Sequence, residues 1–154
     1  MLTANTRKAI LDNIAGIANT TMPRGLYLAL STTTPADDGT NFTEPASSKG
    51  YSRVYIGPVT QEEPRNYPFE WVPAESGEDP YTQIWNQYEI HFNAATDDWG
   101  SVTYLGIFTA ATGGSLVAYS ELSSPVTVSA QSIPTIAQHE AVLTIDFDVL
   151  NMEF

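Results

Sequence analysis

Val102-Thr103-Tyr104-Leu105-Gly106-Ile107-Phe108-Thr109, then Ala110-Ala111-Thr112-Gly113-Gly114-Ser115, then Leu116-Val117-Ala118-Tyr119-Ser120, reads as two strands joined by a tight turn. Ala111-Thr112-Gly113-Gly114 supplies the turn, because successive glycines accept the positive φ angles that short hairpins require. In the first strand Val102, Tyr104 and Phe108 point to one face while Leu105 and Ile107 point to the other, so both faces carry apolar groups. A solvated sheet face would alternate with polar residues. Something must therefore cover the second face, either an N-terminal helix or a neighbouring subunit.

Working outward, further short strands are predicted. Leu26, Leu28 and Leu30 alternate with Tyr27, Ala29 and Ser31, and Arg53-Val54-Tyr55-Ile56 follows a polar loop. Downstream come Tyr88 to Phe92, Val126 to Ser129 and Ala141 to Val149; in the last, Leu143, Ile145, Phe147 and Val149 face inward while Thr144, Asp146 and Asp148 face out. Spacing of roughly ten residues, broken by Gly, Pro, Asn and Asp, predicts an antiparallel β-sandwich or barrel. Ile10, Leu11, Ile14 and Ala18 recur near the helical period, so one N-terminal helix is expected over about 5–18, capped by Asn5 or Thr6 and closing one side of the core.

Residues 57–86 differ in kind. Pro58, Pro64, Pro68, Pro73 and Pro80 argue against a central strand or a long helix there. Tyr67, Phe69, Trp71, Tyr81 and Trp85 give the same stretch apolar surface to bury, so it is expected to be an ordered arm or contact element. No linker divides the chain, and the expectation is a single domain over 1–154. The expected interface residues are Trp71, Trp85, Tyr67 and Phe69 from the arm, with Leu105 and Ile107 from the two-faced strand.

Charge and composition narrow the function. The 154 residues carry a formal net charge of -12, and all six basic residues, Arg7, Lys8, Arg24, Lys49, Arg53 and Arg65, precede position 66. The first 65 residues are neutral, so the whole acidic excess lies beyond them. Such a field repels nucleic acid and anionic membrane, and suits docking against a basic protein surface. Cysteine is absent, which removes disulfides, thiol nucleophiles and cysteine-bound zinc. Neither a signal-peptide core nor a membrane-spanning run is read near the start.

Catalytic patterns fail one by one. His91, and His139 beside Glu140, would make at most part of a metal site. Asp37-Asp38, Glu62-Glu63, Asp97-Asp98 and Asp146-Phe147-Asp148 do not specify two carboxyls held across a sugar cleft. Asp97-Asp98 before Trp99-Gly100 has a turn as its simpler explanation than calcium. Gly113-Gly114-Ser115 lacks the following glycine of a nucleophile elbow. The reading is a non-enzymatic protein with no catalytic residue, metal or cofactor.

Trp99-Gly100-Ser101-Val102-Thr103-Tyr104-Leu105-Gly106-Ile107-Phe108, then Ala110-Ala111-Thr112-Gly113-Gly114, then Leu122-Ser123-Ser124-Pro125 resembles the central signature of small structural proteins of tailed bacteriophages, of the tail-fibre-like and head-decoration kind. Leu26-Tyr27-Leu28-Ala29-Leu30-Ser31, Thr34-Pro35 and Gly50-Tyr51-Ser52-Arg53 resemble the same family in the same order. The 57–86 segment and Ala130 to Glu140 depart from it. The resemblance implies a virion protein assembled in the host cytoplasm, a homo-oligomer with a trimer as the guess, whose partners are the major capsid protein or tail proteins. A compact chain without a shaft suggests capsid decoration or cement; a tail fibre or adaptor is the alternative. A glycan-binding module, using Trp71, Trp85, Trp99 and the tyrosines for stacking, is a third reading.

Overall fold

A computed structural model describes residues 1–17, 25–57, 71–73, 83–86 and 88–144. Its elements are α1 (Ala4–Ile14), β1 (Leu26–Ser31), a short 3-10 turn (Ser47–Lys49), β2 (Val54–Gly57), β3 (Trp71–Pro73), β4 (Gln83–Asn86), β5 (Ile90–His91), β6 (Gly100–Phe108), β7 (Leu116–Val128), β8 (Thr135–Ile136) and β9 (Val142–Thr144). The protein is mainly β, with antiparallel pairing and one N-terminal helix, as its alternation and turn residues predict. The chain forms two compact units, one from Met1–Pro58 with His91–Pro134, the other from Val59–Ile90 with Thr135–Phe154.

The first unit is built on a four-stranded sheet in the order β2-β1-β6-β7. The β6–β7 turn forms where the glycines predicted it, with Gly113 at φ 60° and Gly114 at φ 70°. Opposed residues in an antiparallel ladder share a face. The register sets Tyr27 opposite Phe108, Ala29 opposite Gly106 and Gly106 opposite Tyr119, so these line one side; Leu28 opposite Ile107 and Leu30 opposite Leu105 line the other. Ala29, Phe108 and Leu116 are buried together under Phe42, which meets Phe108 edge to face at 5.0 Å. Cover for that side thus comes from the loop between β1 and β2. Gly106 is required here, because a Cβ would lie 2.4 Å from the Phe42 ring.

Several expectations are corrected. The helix runs Ala4–Ile14 and its N-cap is Thr3, not Asn5 or Thr6, because residues 1–3 are held extended against β7 and the helix can only start after them. None of its residues is buried, so it does not close the core. The strands expected at Leu116 to Ser120 and at Val126 to Ser129 are one strand, β7. Val102 pairs with Val126 and Tyr104 with Glu121, so Thr103 alone stands opposite Leu122-Ser123-Ser124-Pro125. An edge strand tolerates proline where its ladder is already interrupted.

The second unit holds a three-stranded sheet, β3-β4-β9. The proline-rich stretch therefore does supply a central strand, because β4 contains no proline, while Pro73 sits in β3 at the edge. Asn86, at the end of β4, is fully buried and fully used: its amide nitrogen donates to the Tyr88 and Ala137 carbonyls at 2.7 and 2.9 Å, and its oxygen accepts from the Ala141 amide at 2.9 Å. β5 and β8 form a two-stranded ladder, shorter than the strand expected at Tyr88 to Phe92. Of the strand expected at Ala141 to Val149, Val142–Thr144 is observed, Ala141 is buried just before it, and 145–149 lie outside the described residues.

Candidate assembly surface

In the first unit, a charged network fixes the loops at one end of the sheet. Arg53, just before β2, offers the planar fork of donors that matches a carboxylate. Its Nε and Nη2 donate to the two oxygens of Glu44 at 2.9 and 2.7 Å, and its Nη1 donates to the carbonyls of Ala110 and Gly113 at 2.8 and 2.7 Å. The guanidinium also lies 3.6 Å from the centre of the Phe108 ring. Tyr51 donates its hydroxyl to Glu44 at 2.7 Å while accepting the Leu30 amide at 3.0 Å. Burial pushes the Tyr51 hydroxyl well above the ordinary tyrosine range, so it stays protonated as a donor. Tyr51 packs in turn against Phe92 and Trp99. The Gly113-Gly114 turn, the β1–β2 loop and the start of β2 are thereby locked together.

At the β7 edge, Met1–Thr3 run antiparallel along Val117–Tyr119. The Thr3 amide donates to Val117 O at 3.0 Å and the Tyr119 amide to Met1 O at 2.9 Å. Thr3, fully buried, also donates its hydroxyl to Leu116 O at 2.9 Å. Here the edge is closed. Beyond it, Ser120 to Thr127 are exposed apart from Leu122.

The expected interface residues fall into three groups. Leu105 and Ile107 lie in β6, a middle strand; Ile107 is buried within this sheet and Leu105 is half-buried. Trp71 is placed in β3 opposite Asn86, and Trp85 in β4 between Val72 and Val142. Tyr67 and Phe69 lie outside the described residues. Trp99, weighed as a sugar-stacking platform, is buried and donates its indole N–H to Lys49 O at 2.8 Å. A burial of that kind removes its ring from any ligand.

The large apolar groups that do face solvent include Leu11, Ile14 and Ile17, at 47%, 71% and 76% exposure. Helical periodicity marked Leu11 and Ile14 as an apolar face but neither Ile17 nor their exposure. The Arg53–Glu44 pair and the Met1–Thr3 strap also escape sequence reasoning, since both join residues at separations no local pattern carries.

The carboxylates near the sheet are occupied in structure. Asp37 accepts a bidentate pair from Arg7 at 3.0 and 2.7 Å, and that hydrogen bonding holds its carboxyl below the usual range. Asp38 accepts from the hydroxyl and amide of Thr40 at 2.6 and 2.9 Å, and is lowered by those bonds. Asp97 accepts the Asp98 amide and Asp98 the Ala130 amide, both at 2.8 Å, so the Asp97-Asp98 pair builds a turn. Among the described residues every Lys and Arg side chain is ion-paired: Arg7 with Asp37, Lys8 with Asp12, Lys49 with Asp97 and Arg53 with Glu44. Among those same residues no three potential ligands gather to hold a metal, and no helix is long and apolar enough to cross a membrane. What the surface offers is shape, apolar groups and negative charge, which suits binding protein.

Compared with known families, residues 1–144 match the model described as Podophage GP4 fiber I protein gp80. No curated protein matches the chain.

Proposed function

We propose a function from one premise: the chain belongs to the family described as Podophage GP4 fiber I protein gp80, whose model spans residues 1–144. It is a phage structural component. Our reading is that it works without catalysis, in the virion, as a subunit of the tail-fibre apparatus that assembles through protein–protein contacts. The family's description as a fibre protein supports this reading over the capsid decoration that size and acidity suggest. Two properties of the molecule support assembly as its mode of action. Its described Lys and Arg side chains are all ion-paired within the chain, and the net charge of -12 suits a basic protein surface. Among the described residues, Asp37, Asp38, Asp97 and Asp98 serve turns and an ion pair.

The test is location and copy number in purified particles. Antibody label on the tail, with a few to a few dozen copies per particle by quantitative mass spectrometry, is the expected outcome. Label spread over the head with hundreds of copies would overturn the tail placement in favour of decoration or cement bound to the major capsid protein.

A further inference from the structure

We infer that the exposed stripe of α1 is a contact surface between copies of this chain, helix against helix. Leu11 and Ile14 are three residues apart, and Ile17 continues the spacing just past the helix end; Ile10 lies on the same side and is half-buried. At 3.6 residues per turn Ile10 and Ile14 fall about 40° apart and Leu11 about 60° from Ile14, while Ile17 follows Gly16, whose φ of 67° ends the helix, and adds an exposed apolar group beside its C-terminal end. No helix residue is buried by the rest of the described chain. Apolar groups in such a row, instead of singly, mark an association surface.

Charge identifies the occupant. Each copy carries -12, so two copies repel wherever their acidic portions meet. The helix lies in the stretch 1–65, which is neutral overall. On the helix itself Lys8 is paired with Asp12, and Arg7 with Asp37. A face with balanced charge and an apolar row is where identical acidic subunits approach at least electrostatic cost. A basic partner would instead gain most at the acidic portion of the chain. Area sets the strength: three or four side chains fall short of the roughly 800 Å² per partner of a stable interface. The contact is therefore weak between free chains and effective when copies are already held side by side, where the second contact becomes intramolecular. This rests on the assembly reading only for its setting, since self-contact is measurable on the isolated full chain.

The chain has no cysteine, so a single introduced one reports proximity without background. Ile14→Cys is compared with Ser124→Cys, an exposed position on β7, under mild oxidation at low and high salt. The expected result is that the Ile14→Cys chain forms disulfide-linked dimers at least tenfold faster. The rate should rise with salt, which screens the repulsion between copies. Ile14→Asp should abolish the concentration-dependent sedimentation of the full chain while leaving its melting temperature unchanged, because the side chain is solvent-exposed in the single chain. Equal cross-linking at positions 14 and 124 overturns the inference. So does loss of particle incorporation in Ile14→Asp without preferential cross-linking at 14, since that assigns the stripe to a different partner. Tail or head location in particles is a separate readout, so the failure of one proposal leaves the other standing.

Discussion

Replacing Arg53 by Ala should strongly destabilise the first unit. The side chain is 7% exposed and its partner Glu44 25% exposed, so removal leaves a largely buried carboxylate facing only Tyr51. Breaking a buried ion pair from one side costs about 3–5 kcal/mol; the partial exposure of Glu44 favours the lower half of that range. The lost donors to Ala110 and Gly113 and the lost contact with Phe108 act in the same direction without adding in full. Taking about 3–4 kcal/mol, and about 2–4 °C per kcal/mol for a chain of this size, the melting temperature should fall by roughly 6–16 °C. Thermal and urea unfolding followed by circular dichroism would measure it. Arg53→Lys should recover only a minor part, because an ammonium cannot reproduce the fork. Arg53→Met combined with Glu44→Leu should recover most of the loss, since no charge is then left buried and unpaired. A fall below about 2 °C for Arg53→Ala, or a Lys variant as stable as the parent, would refute the argument that this pair locks the loops.

Gly106→Ala should cost about 1–3 kcal/mol by overpacking, because the new methyl meets Phe42 at 2.4 Å and Leu116 at 2.8 Å. In a Phe42→Ala background the same change should cost markedly less, and strict additivity of the two would show that Phe42 is not the obstacle. For pH, Asp37 and Asp38 are depressed in the folded protein, so their contribution is complete above the ordinary Asp value of about 3.9 and is lost as pH falls through the lower folded values. Urea midpoints across pH 2–6 should thus decline on the acid side, and the decline should be shallower in Asp37→Asn/Asp38→Asn; an unchanged slope would count against the assignment.

The sequence was most legible where chemistry is local. Gly113-Gly114 marked a turn because positive φ is costly to other residues, and the alternation from Leu26 to Ser31 marked a strand because its period is two. It was least legible where a residue's role depends on a distant partner. Thr3 caps the helix because residues 1–3 are bonded to Val117 and Tyr119, which no propensity near position 3 records. Arg53 and Glu44 lie on either side of a 3-10 turn, at a spacing that signals nothing in a helix or a strand. The polar run Glu121 to Pro125 parts the two expected strands, Leu116 to Ser120 and Val126 to Ser129. β7 nevertheless continues through it, since the pairing is already out of register there. Of the expected interface, the sequence could not reveal that Ile107 would be buried within its own chain, nor that the apolar row of α1 would be left facing water.

The order of strands in the first sheet has a consequence in time. β1 lies between β2 and β6, yet β6 is synthesised only after the whole 59–90 excursion. Until residue 108 has left the ribosome, the side of β1 that β6 will occupy has no native partner, and Leu28 and Leu30 lack Ile107 and Leu105 opposite them. Strand edges left waiting in this way favour slow folding and pairing with the wrong chain. Yield in the cell should therefore depend on how quickly translation passes through 59–90, even for variants whose finished fold is as stable as the parent's.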